Sequence, residues 1–269
     1  MLREKVRTYP FIYKAICAYM VTTCLIFKIN LSFAQTSQPQ LNLKGKAIVL
    51  PSINVLTTRS KKKITSIPAA VTQTDREEIL TGLPQLTLDE GLVATPGVFF
   101  QNQYNFAQDL RISIRGFGTR SSFGVRGVKI LVDGIPQTLP DGQTQLDSID
   151  PGMIENIEIL RGPSSSLYGN ASGGIISITT EEGLGLGLGT NPKQRIVLGQ
   201  FGLEKYQLKL GQVSGPLSYH IYTSHLKLEG YRGHSATENS FVHGVFKWIS
   251  KSNSEWRFNI SNLYSPKAD

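Results

Sequence analysis

The sequence predicts a small α+β domain, with a mixed sheet and short helices, followed by the first antiparallel strands of a transmembrane β-barrel. Three observations predict this architecture. The chain opens with an export-signal pattern, residues 64–182 alternate short strands with short helices, and residues 194–269 alternate apolar and polar side chains with a period of two. Segments of about ten residues with that period, separated by turn residues, are typical of strands in a membrane barrel.

Residues 1–34 are predicted to be a cleaved signal peptide. The start is basic, an apolar run covers residues 15–27, and Ser32 and Ala34 have the small–x–small spacing of a cleavage site. The alternative is a transmembrane anchor. A helix needs about 20 apolar residues to span a bilayer, and this run is shorter.

Charge and cysteine content exclude several function classes. The formal net charge is +8, but half of it lies in the predicted signal, so the remainder is too small to indicate nucleic-acid binding. Cys17 and Cys24 both lie in the signal, so the mature chain has no thiol for a disulfide, a metal or a nucleophile. His220 and His225 would point to opposite faces of a strand. We therefore expect no enzyme activity, no cofactor and no metal site.

Residues 64–182 are predicted to form the α+β domain. The capping-box patterns TDRE at 74–77 and TLDE at 87–90 predict two helix starts, and Pro163 and Gly169 bracket another short helix. Runs rich in β-branched residues predict strands at 111–115, 128–132, 155–160 and 174–180.

Residues 183–193 are a glycine-rich link, and residues 194–269 are predicted to be the truncated N-terminal part of a β-barrel. The short turns near residues 215 and 252 are expected on the periplasmic side, and the longer polar segment 230–239 outside. A soluble antiparallel sandwich is the alternative, because periodicity alone does not separate the two. About five strands are predicted, at 194–200, 204–213, 217–228, 240–249 and 255–264.

Four segments resemble the plug domain of TonB-dependent outer-membrane receptors. They are PSINVLTTR at 51–59, RISIRGFG at 111–118, VKILVDGIP at 128–136, and IENIEILRGPSSSLYG at 154–169, which two further glycines follow. Each segment is weak alone, but their order behind a signal pattern is specific. The resemblance, of the iron-chelate receptor type, implies a plug at residues 64–182 within a barrel of 22 strands in the outer membrane of a Gram-negative bacterium.

The resemblance also implies a function, namely energy-coupled uptake of a scarce chelate. A ferric siderophore is the default ligand, and cobalamin, a quinone-type cofactor and copper stay open. The implied partners are TonB, outer-membrane lipid and the chelate. Because about five barrel strands are present, we expect a truncated receptor; the alternative is a soluble periplasmic plug-type binding module or a non-transporting fragment.

A flexible lead at residues 35–63 contains the segment that resembles the TonB box. Such a segment would pair edge-on with the periplasmic domain of TonB by strand addition. The alternative is that it is simply the first strand of the plug. The residues assigned to coupling are Ser52, Ile53, Asn54, Val55, Leu56 and Thr57.

Three loops of the plug are predicted to contact the ligand, at residues 101–108, 117–126 and 137–145. Aromatic rings and arginines suit an anionic, partly aromatic chelate. Loops that lie against the barrel wall or in water are the alternative. The candidate residues are Tyr104, Phe106, Phe117, Arg120, Phe123, Arg126, Gln137, Asp141 and Gln143.

Four charged residues near strand ends are predicted to join the plug to the barrel: Arg115, Glu155, Glu158 and Arg161. The resemblance implies that the arginines pair with carboxylates on the inner wall, and Arg suits such a bidentate pair. The alternative is that these are ordinary solvated charges.

Overall fold

The computed structural model describes residues 54–55, 62–63, 66–122, 124–162, 168–182, 192–252 and 254–268. Two parts pack together: an α+β domain within residues 66–182, and an antiparallel sheet within residues 193–268 that we name the wall sheet. The predicted signal peptide, most of the helix at 163–169 and most of the glycine-rich link lie outside the described residues.

The described residues of the α+β domain form short strands, one short helix and two 3-10 turns. The helix α1 covers Arg76–Leu80, and 3-10 turns cover Leu88–Gly91 and Pro151–Met153. The strands before the wall sheet are β1 (Asn54–Val55), β2 (Lys62–Lys63), β3 (Ala70–Asp75), β4 (Val98–Gln101), β5 (Arg111–Ile114), β6 (Val125–Arg126), β7 (Val128–Val132), β8 (Ile135–Pro136), β9 (Gln143–Thr144), β10 (Ile154–Arg161) and β11 (Gly174–Thr180).

The central sheet of this domain is mixed, as predicted. Its strand order is β3-β10-β11-β7-β8, in which β11 and β7 are parallel and the other neighbours antiparallel. Ile157, Ile159 and Ile176 are completely buried, and each side chain of this size contributes about 1.5–3 kcal/mol by leaving water. Tyr222 and Phe241 of the wall sheet join the same core, so the two parts share one apolar interior.

The two capping-box patterns give different local structures. The helix predicted at the TDRE pattern is confirmed, since α1 covers Arg76–Leu80 with Asp75 as its N-cap. The capping box itself is wrong: no side chain caps α1, and Thr74 is instead paired with Ile157 in the sheet. At the second pattern, Glu90 accepts the backbone N–H groups of Gln85 and Leu86 at 2.6 and 2.9 Å. That site forms a four-residue 3-10 turn.

The wall sheet contains five strands in the described residues, in the order of the chain and all antiparallel. They are β12 (Lys193–Leu198), β13 (Glu204–Ser214), β14 (Leu217–Leu228), β15 (Thr237–Ile249) and β16 (Glu255–Ala268). The predicted alternation is confirmed: Gln207 and Lys209 are buried against the α+β domain, whereas Trp256 and Phe258 on the other face are 52% and 58% exposed. The described residues contain no helix with the length and apolar character needed to cross a membrane.

Candidate ligand surface and the plug anchors

Two of the predicted ligand loops meet in a short antiparallel ladder. β6 pairs with β9, with Arg126 opposite Gln143. The guanidinium of Arg126 lies 3.3 Å from the Asp141 carboxylate and 3.2 Å from the side-chain oxygen of Gln143. Gly124 has a φ of +56°, which brings the chain close to the Thr144 carbonyl. Arg126, Asp141 and Gln143 therefore form one exposed polar cluster, which we name the apical cluster.

The remaining predicted ligand loop, at residues 101–108, and the wall sheet enclose a separate cavity of about 140 Å³, which Tyr104 and Phe106 line. Its walls include Leu146 and Asp147 of the α+β domain, with Asn239, Leu263 and Ser265 of the wall sheet. Burial raises the pKa of Asp147 to about 7, and the neighbouring Asp109 carboxyl adds to the effect. Burial likewise raises the pKa of Tyr104, reinforced by Glu90 and Asp89.

The remaining predicted ligand residues are more dispersed. Phe117 is 50% exposed and exchanges two backbone hydrogen bonds of 3.0 Å with Ile114. Arg120 is exposed, and the Gln137 side chain donates to the Ile135 carbonyl. Phe123 lies outside the described residues.

The predicted coupling segment is described only at Asn54 and Val55. These two residues form β1, which pairs antiparallel with β2. Ser52, Ile53, Leu56 and Thr57 lie outside the described residues. Extended backbone at 54–55 agrees both with a coupling strand and with a first strand of the domain, so the coupling role stays a prediction.

Two of the four predicted plug–barrel residues, Arg161 and Glu155, bind partners within the α+β domain. Arg161 donates to the Pro96 carbonyl at 2.7 Å and to the Thr72 hydroxyl at 2.9 Å. Glu155 forms an exposed ion pair with Arg76 at 3.0 Å. Arg115 is exposed with a φ of +49°, and Glu158 is buried. Their role as contacts to the barrel stays a prediction.

Asp150 makes the first contact between the α+β domain and the wall sheet. Its carboxylate accepts Tyr222 Oη and Ser224 Oγ at 2.7 Å each, and Lys205 Nζ lies 3.0 Å away. The backbone N–H of Gly152 adds a bond of 2.8 Å. Burial alone would raise the pKa of Asp150, but Lys205 and these hydrogen bonds favour the charged form and hold the pKa below its ordinary value.

Glu181 makes the second contact. Lys209 Nζ lies 2.8 Å and His220 Nε2 3.6 Å from the same Glu181 oxygen, which also pairs with Arg76 at 2.5 Å. Burial would raise the pKa of this carboxyl, yet Lys209 and Arg76 hold it below its ordinary value.

A third contact involves the carboxylates of Asp133 and Glu182. Arg257 lies 3.0 Å from Asp133 and 2.7 Å from Glu182, and Lys247 lies 3.7 Å from Glu182. Among the described residues, every ion pair that joins the domain to the wall sheet therefore places the carboxylate on the domain and the cation on the wall.

Sequence reasoning missed these anchors, although a signal was present. Lys209, Lys247 and Arg257 stand on the polar face of the predicted strands, so the alternation already assigned them to the inner side. Of their acidic partners, Asp133 lies in the VKILVDGIP segment, whereas Glu181 and Glu182 stand outside the segments that the sequence analysis singled out. The described residues contain no group of three or more His, Cys, Asp or Glu side chains arranged to hold a metal ion.

Comparison with known proteins supports this architecture. Residues 63–175 match the family model of the TonB-dependent receptor plug domain. The hemin receptor of Yersinia enterocolitica is 34% identical over 131 residues, which cover 48% of this chain and 16% of that receptor. The pesticin receptor of Yersinia pestis is 28% identical over 185 residues, which cover 63% of this chain and 26% of that receptor. The chain thus matches about a quarter or less of the length of these relatives.

The fold agrees with solved receptors as well. The ferric preacinetobactin receptor BauA of Acinetobacter baumannii superposes with a TM-score of 0.61 at 16% identity, covering 78% of this chain and 30% of that one. The α+β domain is thus a plug domain resting on part of a barrel wall. Residues 63–175 are therefore a plug domain of the TonB-dependent receptor type, and the curated relatives that this chain matches are named as receptors.

Proposed function

We propose that this chain is the N-terminal part of an outer-membrane receptor that takes up an iron chelate, with a ferric siderophore as the ligand and TonB as the partner that supplies energy. The observation that carries this proposal is the plug domain seated by three carboxylate anchors on the first strands of a barrel wall. Relatives named as receptors for hemin and for ferrioxamine support an iron-containing ligand.

The outer face of the wall sheet supports insertion in a membrane. Trp256, Phe258 and Ile260 point away from the plug and are 52–60% exposed. A face of this kind on alternating positions suits contact with lipid. It disfavours the alternative of a soluble periplasmic binding module, which would leave these side chains in water.

The apical cluster supports an anionic ligand. The Arg126 guanidinium is half exposed and is held by Asp141 and Gln143, so it is presented in a fixed position. A guanidinium binds carboxylates and other planar anions through paired hydrogen bonds. Tyr104 and Phe106 of the loop at residues 101–108 supply ring surfaces at the separate cavity.

Uptake of labelled iron tests this function. We would express the receptor that carries this chain in an iron-starved host and supply a radiolabelled ferric tris-catecholate chelate. Energy-dependent uptake is expected, and Arg126→Ala should weaken surface binding by about tenfold, the loss of one charge-assisted contact. Uptake that does not require TonB would count against the proposal. Surface binding that Arg126→Ala leaves unchanged would also count against it.

Cross-linking tests the coupling segment. A Val55→Cys variant should form a disulfide with a cysteine in the periplasmic domain of TonB, and the yield should rise when the chelate is present. The mature chain contains no other cysteine, because Cys17 and Cys24 lie in the predicted signal. A yield that is independent of the chelate would remove residues 52–57 from this role.

A further inference from the structure

The inner face of the wall sheet carries basic side chains in five successive layers. The strand register defines these layers of directly opposed inner residues, from the loop at 229–236 to the turn at 250–254. The basic residues of the layers are, in order, Lys205; Arg195; Lys193 and Lys209 with His243; His220; and Lys247 with Arg257. We name the lysines and arginines of this set the cation ladder.

The ladder covers most of the height of a membrane-spanning wall. The layers are two residues apart, and strands rise about 3.3 Å per residue, so the five layers extend over roughly 27 Å along the strand. Barrel strands are tilted by about 40°, so this length corresponds to about 20 Å of height, against an apolar band about 25 Å tall. The lysines and arginines stand in the first, second, third and fifth layers, about 7 Å apart along the strand except across the histidine layer, where the interval is about 13 Å.

The wall itself does not neutralise the upper part of this ladder. The inner positions of the five layers in β12–β16 include no Asp or Glu. The neutralising carboxylates come from the plug: Asp150 faces Lys205, Glu181 faces Lys209, and Glu182 and Asp133 face Arg257. Glu255, beside Lys247 at the turn, is the wall's own contribution at the lower end.

The fourth layer of the wall carries a histidine in place of a lysine or arginine. His220 is completely buried, and neither of its ring nitrogens has a hydrogen-bond partner among the described residues. Glu181 lies 3.6 Å away and is already shared with Lys209 and Arg76. A buried ring without a partner is uncommon in native structures, and its N–H is a free donor for an oxygen of a further ligand or water.

We infer that the cation ladder is a second binding surface, for anionic groups of the transported chelate. When the plug yields during uptake, its carboxylates leave the wall and the cations stand unpaired. Charges that are unpaired in a confined site are costly, so an anionic ligand takes the place of the plug carboxylates level by level. This inference rests on the proposed function and narrows its substrate class to anionic chelates.

The first experiment removes a cation together with its plug partner, so that no buried charge is stranded. Lys209→Gln with Glu181→Gln, and Lys205→Gln with Asp150→Asn, each keep a hydrogen-bonding pair. We expect surface binding of the ferric tris-catecholate probe within twofold of wild type, and energy-dependent uptake reduced about tenfold. Tyr222→Phe is the matched control, because it removes an anchor of Asp150 without removing a cation. Its uptake should stay near wild type.

Uptake by both double variants at the wild-type rate would overturn the ladder while leaving the proposed function standing. A loss of the same size in Tyr222→Phe would also overturn it, because anchoring alone would then explain the effect. If wild type binds no chelate, the proposed function fails, and the ladder is judged by conductance instead.

Conductance needs no ligand. The intact receptor is placed in a planar bilayer, the plug is loosened with urea, and the reversal potential is measured in a KCl gradient. The ladder predicts an anion-selective pore whose selectivity falls in both double variants and persists in Tyr222→Phe. A cation-selective pore, or a selectivity that the double variants leave unchanged, would refute it.

Discussion

At the scale of single residues, the plug is held to the wall by carboxylates that accept nearly all the hydrogen bonds they can. Asp150 has four donors on two oxygens, and three of them come from the adjacent wall strands β13 and β14. Lys205, its charged partner, is 1% exposed and also donates to the Gln85 carbonyl. Because both charges are buried, removal of one leaves the other stranded.

This arrangement predicts an asymmetric mutational cycle. Asp150→Ala should destabilise the seating of the plug by about 3–5 kcal/mol, because Lys205 remains buried without its carboxylate. Adding Lys205→Met should recover a large part of that loss. The readout is urea-dependent labelling of a cysteine placed at Thr144, which is fully buried in the plug. If the double variant were no more stable than Asp150→Ala, the ion pair would not be the cause.

A second prediction concerns the pair Asp109 and Asp147. The pKa of Asp147 is raised to about 7 by burial and by Asp109, so the folded state holds a proton that the unfolded chain releases near pH 4. Stability should therefore fall as pH rises from about 4 through 7. Asp109→Asn removes one of the two causes and should shrink the drop in melting temperature between pH 5 and pH 8. An unchanged drop would contradict the assignment.

At the scale of elements, the sequence predicted strands well and anchors poorly. The alternation of apolar and polar residues predicted strands β13–β16 and their inner faces. One face of each strand contacts lipid or water, and the other contacts the plug. The start of α1 was predicted to within one residue, but the side-chain cap is absent because Thr74 pairs with Ile157 in the sheet, and a tertiary ladder overrides a local cap. Asp150 and Glu181 were missed because their partners are 55 and 28 residues away, a separation that no local pattern encodes.

The short ladder of β6 and β9 supports an element-scale prediction. A Cβ at Gly124 would lie 2.6 Å from the Thr144 carbonyl at a φ of +56°, so Gly124→Ala should separate these strands and disperse the apical cluster. Binding of the ferric tris-catecholate probe should fall by about tenfold or more, as a lost charge-assisted contact would imply.

Gly127 offers the matched control. Its φ is +74°, but a Cβ there would meet nothing within 4 Å. Gly127→Ala should therefore cost about 1–2 kcal/mol of backbone strain and leave binding near wild type. Equal losses of binding in the two variants would show that strain in the loop, rather than the ladder, controls the site.

At the scale of the whole molecule, charge is divided between the two parts of the fold. The plug contributes the carboxylates and the wall contributes the cations in all three anchors. The ion pairs between the two parts therefore all lie on one contact surface. Under the proposed function, these ion pairs hold the plug closed at rest and separate along that surface when the plug moves.

The same division predicts how acid should act on the molecule. The pKa values of Asp150 and Glu181 are lowered by their cationic partners, so each carboxyl adds stability above the unfolded value near 4. That contribution is lost as pH falls below 4 and through the lowered folded values. The cysteine at position 144 should stay protected at pH 5–7 and become accessible well below pH 4, measured with a dipyridyl disulfide reagent because ordinary alkylation needs the thiolate, which is absent in acid. In Asp150→Asn with Glu181→Gln, the dependence should flatten, since neither group titrates. Release of the plug already at pH 6 would contradict this account, because both carboxyls are still ionised there and the anchors remain closed.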